Sequence, residues 1–104
     1  MKELQETVKR FCAEHNINLQ PEIRMLDLTS EVGELAKEIL KASNYGKKQL
    51  EFREEMKLEL GDVLFSLITL ANALGINLEE ALNSLIEKYR ARASKGSIGS
   101  EFQA

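Results

Sequence analysis

Glu31-Val32-Gly33-Glu34-Leu35-Ala36-Lys37-Glu38-Ile39 and Glu59-Leu60-Gly61-Asp62-Val63-Leu64-Phe65 decide how this chain folds. In the first stretch the acids Glu31, Glu34 and Glu38 stand three and four apart, so a helix places them on one face. Met25, Leu28, Val32, Leu35 and Ile39 form an apolar stripe on the same helix, and Leu26, Gly33 and Leu40 a second line well round it. In the second stretch Glu59 and Asp62 are the only charges in a run that is apolar almost all round from Leu58 to Leu74. A helix of that kind needs cover on most sides. Ser43-Asn44-Tyr45-Gly46 separates the two helices, with Gly46 able to take a positive φ. The pair therefore reads as a hairpin with its loop over Asn44 to Gln49 and its midpoint between Gly46 and Lys47. Residues equidistant from that midpoint lie side by side in an antiparallel hairpin. The spacing thus predicts Glu31 beside Asp62, Glu34 beside Glu59, and Glu38 beside Glu55.

Outward from the hairpin the chain continues as helix. Leu4, Val8, Phe11 and Cys12 recur at helical spacing and give a first helix over about residues 2 to 14. Asn16 to Gln20 breaks it, and Pro21 suits the first turn of the second helix, which ends near Ala42. A third helix runs from around Gln49 to Leu74 and stops at Gly75. Asn77 caps a fourth, with Glu80 in capping-box position. Its apolar face is Leu78, Ala81, Leu82, Leu85, Ile86 and Tyr89. The expectation is an all-α, four- to five-helix bundle protomer. Residues 1–93 form one helical domain, and 94–104 a flexible tail whose Gly99-Ser100-Glu101-Phe102 is of the kind an expression vector leaves. One chain has too few helices to cover the second and third, which implies a homo-oligomer with a shared bundle. Gly33 and Gly61 read as small residues that permit close helix approach.

Composition narrows the function classes. With 104 residues, 43% of them hydrophobic, the chain is a single globular domain rather than a disordered one. Its 14 Lys+Arg against 17 Asp+Glu give a net charge of −3, unlike a nucleic-acid binder. The charge-free run from Val63 to Leu78 is short for a membrane span and contains Ser66, Thr69, Asn72 and Asn77. Lys2, Glu3, Glu6, Lys9 and Arg10 interrupt any leader-like apolar run. The expectation is a soluble cytoplasmic protein that engages neither nucleic acid nor membrane. The single Cys12 and single His15 exclude a Cys-based zinc site and a His-rich centre within one chain. Cys12 reads as a small buried apolar residue and His15 as a surface residue. A di-iron bundle would need Glu-x-x-His on inward helices, and His15 lies outside both acid motifs.

The acids carry the chemistry. At least four of them meet across two helices about 8–10 Å apart, and no basic residue interrupts the set. Carboxylates gathered in that way repel one another and resist desolvation, so either some stay protonated or a cation sits among them. All-oxygen ligation selects a hard ion, Mg²⁺ or Mn²⁺ before zinc. Ions of that kind with open positions suit phosphate chemistry. The plain alternative is a solvated acidic face on a helical interaction module.

The two stretches together resemble the paired E-x-x-E and E-x-x-D motifs of MazG-like nucleoside triphosphate pyrophosphohydrolases, the all-α NTP pyrophosphatase superfamily. Leu70-Ala71-Asn72, Leu74-Gly75-Ile76-Asn77, Glu79-Glu80-Ala81-Leu82, Glu87-Lys88-Tyr89 and Arg90-Ala91-Arg92 extend the likeness over roughly residues 4 to 92. The resemblance implies a helical bundle acting as a homodimer or homotetramer. It implies Mg²⁺-dependent hydrolysis of a (deoxy)nucleoside triphosphate to monophosphate and pyrophosphate, with Mn²⁺ as a substitute ion and nucleotide-pool house-cleaning as a role. By the same likeness Glu31, Glu34, Glu59 and Asp62 hold metal. Glu38 binds a further ion or orients water, and Glu34 or Glu38 takes the proton of the attacking water. Lys88 and Arg92 match basic positions near the triphosphate. Ile86 departs from the family, many of whose members carry Asn there, and this bears on substrate identity. A related enzyme acting on phosphoribosyl-ATP is the second reading.

Overall fold

The structure, a computed structural model, describes residues 1–96. The expected tail beyond Gly96, Gly99-Ser100-Glu101-Phe102 included, lies outside the described residues. Those residues form four helices and no strand: α1 (Lys2–Glu14), α2 (Pro21–Ala42), α3 (Glu54–Leu74) and α4 (Leu78–Ser94). The all-α class is thus as the periodicity predicts.

The helix ends follow local chemistry. Asn16, at φ 52°, turns the chain after α1. The Ile17 N–H then donates to the Cys12 carbonyl at 3.1 Å. Gln20 is extended and Pro21 opens α2, where a missing N–H costs nothing. At the far end of α3, Gly75 sits in the left-handed region at φ 69° and the Ile76 N–H reaches the Ala71 carbonyl at 2.9 Å. A side chain there would be strained, which is why glycine occupies the position. Asn77 caps α4 by accepting from the Glu80 N–H at 3.0 Å.

One boundary differs from expectation. α3 begins at Glu54 rather than around Gln49. Asn44, Tyr45 and Gly46 all have positive φ (47°, 59° and 83°), so the chain reverses abruptly after α2. It then runs to Arg53, whose extended backbone (φ −135°, ψ 143°) delays the helix. The hairpin register nevertheless survives. The Glu51 N–H donates to the Ala42 carbonyl at 3.2 Å. The Ser66 hydroxyl donates to the Asp27 carboxylate at 2.8 Å. Both pairs are symmetric about the midpoint between Gly46 and Lys47.

Packing is concentrated where α2 lies on α3, with a lesser contact of α1 on α3. In the latter, the Phe11 ring meets the Phe65 ring edge-on, with centroids 5.8 Å apart. The buried set is small: Cys12, Ala42, Ile68, Ala71, Ser66 and Thr69. Its two hydroxyls are satisfied, since Thr69 donates to the Ser66 carbonyl at 2.7 Å while Ser66 donates to Asp27. α4 leaves α3 at 96° and buries no residue. Large apolar side chains stay in the open, among them Leu26, Phe52, Leu58 and Leu60. The accessible surface is 7824 Å². A compact monomer of this mass would expose about 5,900 Å². The radius of gyration is 16.8 Å, against about 13 Å for a compact domain of this length.

The glycines of the acid motifs play a different part from the one expected. A Cβ built on Gly33 or Gly61 meets nothing within 4 Å, so neither is needed for α2 to approach α3. What remains at these positions is the ordinary penalty of glycine inside a helix. Gly33→Ala is therefore expected to stabilise the protein by about 0.5–1 kcal/mol. Thermal denaturation checks this; a lower melting temperature would mean that Gly33 meets a surface outside the protomer.

Candidate metal centre

α2 and α3 present their acids to each other as a ladder. In its middle, one carboxylate oxygen each from Glu31, Glu59 and Asp62 lies within 4.8 Å of the others. Glu31 and Glu59 are half-buried and Asp62 is exposed. Partial burial first, then the charges of Asp62, Asp27, Glu59 and Glu34, pushes the Glu31 carboxyl above its ordinary range. Glu59 is pushed up in the same way, by loss of water first and then by Asp62, Glu34 and Glu38. Glu34 is exposed and stands outside the close trio, although both Glu31 and Glu59 feel its charge.

Cations flank the ladder at each end. At one end the Ser66–Asp27 bond adds a rung, and Arg24 Nη1 lies 3.6 Å from Asp27 Oδ2. At the other, Arg53 stands between the two acids expected to face each other. Its Nη1 is 4.0 Å from Glu38 Oε2 and its Nε 3.9 Å from Glu55 Oε2. Lys41 Nζ lies 4.0 Å from Glu38 Oε1. These are ion pairs rather than hydrogen bonds. Glu38 Oε2 is buried without a hydrogen-bond partner, so charge alone holds it. The expectation that no basic residue interrupts the set thus fails at this rung. Asp27 and Arg53 are the residues that sequence reasoning missed. Asp27 was legible, being four residues before Glu31 on the same face. Arg53 was hidden by reading α3 as already helical there.

The trio fits a hard divalent cation. Oxygens on an octahedral Mg²⁺ lie about 3 Å apart when adjacent and about 4.2 Å when opposite. The oxygens of the trio, within 4.8 Å of one another, approach that spacing. The donor set is all oxygen, and the mutual repulsion of Glu31 and Glu59 is what a cation would relieve. Lys88 and Arg92 are not part of this set. They ride on α4, where the Arg92 guanidinium carbon lies 5.9 Å from the Tyr89 ring centroid.

A profile of the MazG nucleotide pyrophosphohydrolase domain matches residues 19–97, which include the hairpin and α4. The chain belongs to this family. It is a nucleotide pyrophosphohydrolase. YpjD, an uncharacterised protein of Bacillus subtilis (strain 168), is 41% identical over 96 residues, covering 88% of this chain and 85% of its own. The crystal structure of Bacillus subtilis YpjD superposes with a TM-score of 0.73 at 40% identity, over 88% of this chain and 94% of that one. The crystal structure of the Bacillus-conserved MazG protein, a nucleotide pyrophosphohydrolase, gives 0.71 at 36% identity, over 85% and 86%. No single helix among the described residues is long and apolar enough to cross a membrane.

The raised carboxyls predict a pH signature. A folded-state pKa above the ordinary 4.5 favours the protonated form in the fold. The associated stability is present at low pH and is lost as pH rises through the raised value. Glu59→Gln is neutral at every pH. With divalent cations chelated, it is expected to melt above the wild type near neutral pH, the gap closing toward about pH 4. Thermal melts across that range check it; parallel curves would show that Glu59 carries no such strain.

Proposed function

We propose that this MazG-family protein is a Mg²⁺-dependent hydrolase of nucleoside triphosphates, ribo or deoxy, releasing monophosphate and pyrophosphate in the cytoplasm. The observation that carries the reading is the convergence of Glu31, Glu59 and Asp62 between two helices of the family's hairpin. Glu31, Glu59 and Asp62 would hold the ion. Such an ion supplies charge neutralisation on the phosphates and a lower barrier to deprotonating water.

The chain's own residues account for the rest. Water attacks the α-phosphorus in line, the bond to the α–β bridging oxygen breaks, and pyrophosphate leaves. The proton of the water passes to a carboxylate. Glu38 is already engaged by Lys41 and Arg53. Glu34 has no ion pair among the described residues and is exposed beside the trio, so Glu34 is the better general base. Glu38 is then the residue that keeps Arg53 at the ladder's end. A triphosphate brings about four negative charges, and Lys88 and Arg92, four apart on one face of α4, supply cations for them. The exposed apolar faces support a homodimer or homotetramer.

A screen of pyrophosphate release over the common NTPs and dNTPs, with Mg²⁺ and with Mn²⁺, tests the reading directly. Asp62→Asn and Glu34→Gln are each expected to lower turnover by about a hundredfold or more while the helical content survives. Lys88→Met and Arg92→Met are expected to raise the half-saturating nucleotide concentration about tenfold or more. Metal binding without nucleotide should be nearly unchanged in both. Full activity of Asp62→Asn at saturating Mg²⁺ would place the site elsewhere. Sedimentation of a folded monomer at micromolar concentration would refute the oligomer.

A further inference from the structure

We propose that Gln5 is a positioning residue: its side-chain amide ties α1 to the α3–α4 corner and so sets the direction in which α4 carries Lys88 and Arg92. The inference rests on the phosphate-binding reading of those two cations.

Gln5 makes three side-chain hydrogen bonds at this corner and uses both donors of its amide. Nε2 donates to Asn72 Oδ1 at 3.0 Å and to the Ile76 carbonyl at 2.9 Å. Oε1 accepts from the Leu78 N–H at 2.9 Å. Asn72 Nδ2 returns the contact by donating to the Gln5 carbonyl at 3.0 Å. These four bonds join the first turns of α1, the last turn of α3, the connecting turn and the first residue of α4. The Leu78 N–H is one of the donors that a helix start leaves without a partner inside the helix. Asn77 provides for the Glu80 N–H, and Gln5 provides for Leu78.

Beside this clamp the N-terminal amine of Met1 lies 3.6 Å from Glu79 Oε1 on the first turn of α4, and little else in the protomer orients the helix. The helix buries no residue, and the substantial packing lies between α2 and α3 and between α1 and α3. Its heading of 96° from α3 is set at the corner. Errors there grow along the helix. Arg92 lies 14 residues beyond Leu78, about 21 Å at 1.5 Å per residue. A tilt of about 10° at the corner moves that end by about 4 Å, more than a charge-assisted hydrogen bond tolerates. The family profile begins at residue 19, so the segment that supplies Gln5 lies outside it.

The test compares Gln5→Met with the wild type in the full chain. Methionine keeps the length and unbranched shape of glutamine and removes all three side-chain contacts. The half-saturating nucleotide concentration is expected to rise about tenfold or more. The turnover number should change far less, and Mn²⁺ affinity without nucleotide should hold. In a Lys88→Met/Arg92→Met background, Gln5→Met should add little. If that background raises the half-saturating concentration and Gln5→Met alone does not, the positioning role is refuted and the phosphate reading stands. If the background has no effect, the phosphate reading fails, and the positioning inference with it. A parallel loss of metal affinity and turnover in Gln5→Met would also overturn the inference, because it would report general loosening. Should Gln5→Met fail to fold, Asn72→Asp keeps the acceptor for Gln5 Nε2 and drops one bond, and a smaller rise is expected. The wild-type Leu78 amide should exchange with solvent as slowly as helix-interior amides; exchange at an unprotected rate would refute the clamp.

Discussion

The Ser66 hydroxyl on Asp27 and the Glu51 N–H on the Ala42 carbonyl hold α2 and α3 in one antiparallel register, and the candidate site exists only in that register. Helical residues turn by about 100° each, so a slip of a single residue would carry Asp62 off the face that meets Glu31. Ser66 is buried and cannot find water in another arrangement. A slipped hairpin would lose this charge-assisted bond, and the bond to Asp27 acts as a register pin as well as a contact. The same pin places a further acid beside Glu31, which adds to the repulsion within the trio.

Holding carboxylates in register opposes stability unless cations answer them. The chain answers at the two ends, with Arg24 at Asp27 and with Arg53 and Lys41 at Glu38, and leaves the middle open. An acidic gap lies between the guarded ends. A basic side chain in the middle would have neutralised the acids and occupied the coordination space together. Glu31 and Glu59 stand in that gap, their carboxyls pushed up by partial burial first and by the neighbouring acids second. The chain's family is that of the nucleotide pyrophosphohydrolases, whose chemistry is the hydrolysis of a phosphoanhydride.

The core is thin for the same reason that the hairpin is exposed. α3 is apolar around most of its circumference, yet only Ser66, Ile68, Thr69 and Ala71 are buried along it. Phe52, Met56, Leu60, Val63, Leu64 and Leu67 line an open apolar groove on its other side. α4 projects from the corner with no residue buried. A helix with so little hydrophobic contact is held at its root by polar contacts, and the Gln5 amide and the Met1 amine reach that root from a distant point in the chain.

Local chemistry was sufficient for the helices and for the pairing. The starts of α1, α2 and α4, the turn at Gly75, the Asn77 cap and the meeting of Glu31 with Asp62 all follow from spacing, capping and proline or glycine geometry. These are short-range effects, and the amino-acid sequence carries them in full. The start of α3, Arg53 between Glu38 and Glu55, and the open surroundings of Gly33 and Gly61 were settled only in three dimensions. The first two depend on how the loop after Gly46 lies against α2 and the third on how closely α2 and α3 approach, which no periodicity encodes. The corner held by Gln5 belongs with them: residues 5, 72, 76 and 78 share no local pattern, and only tertiary packing brings one side-chain amide within reach of the others.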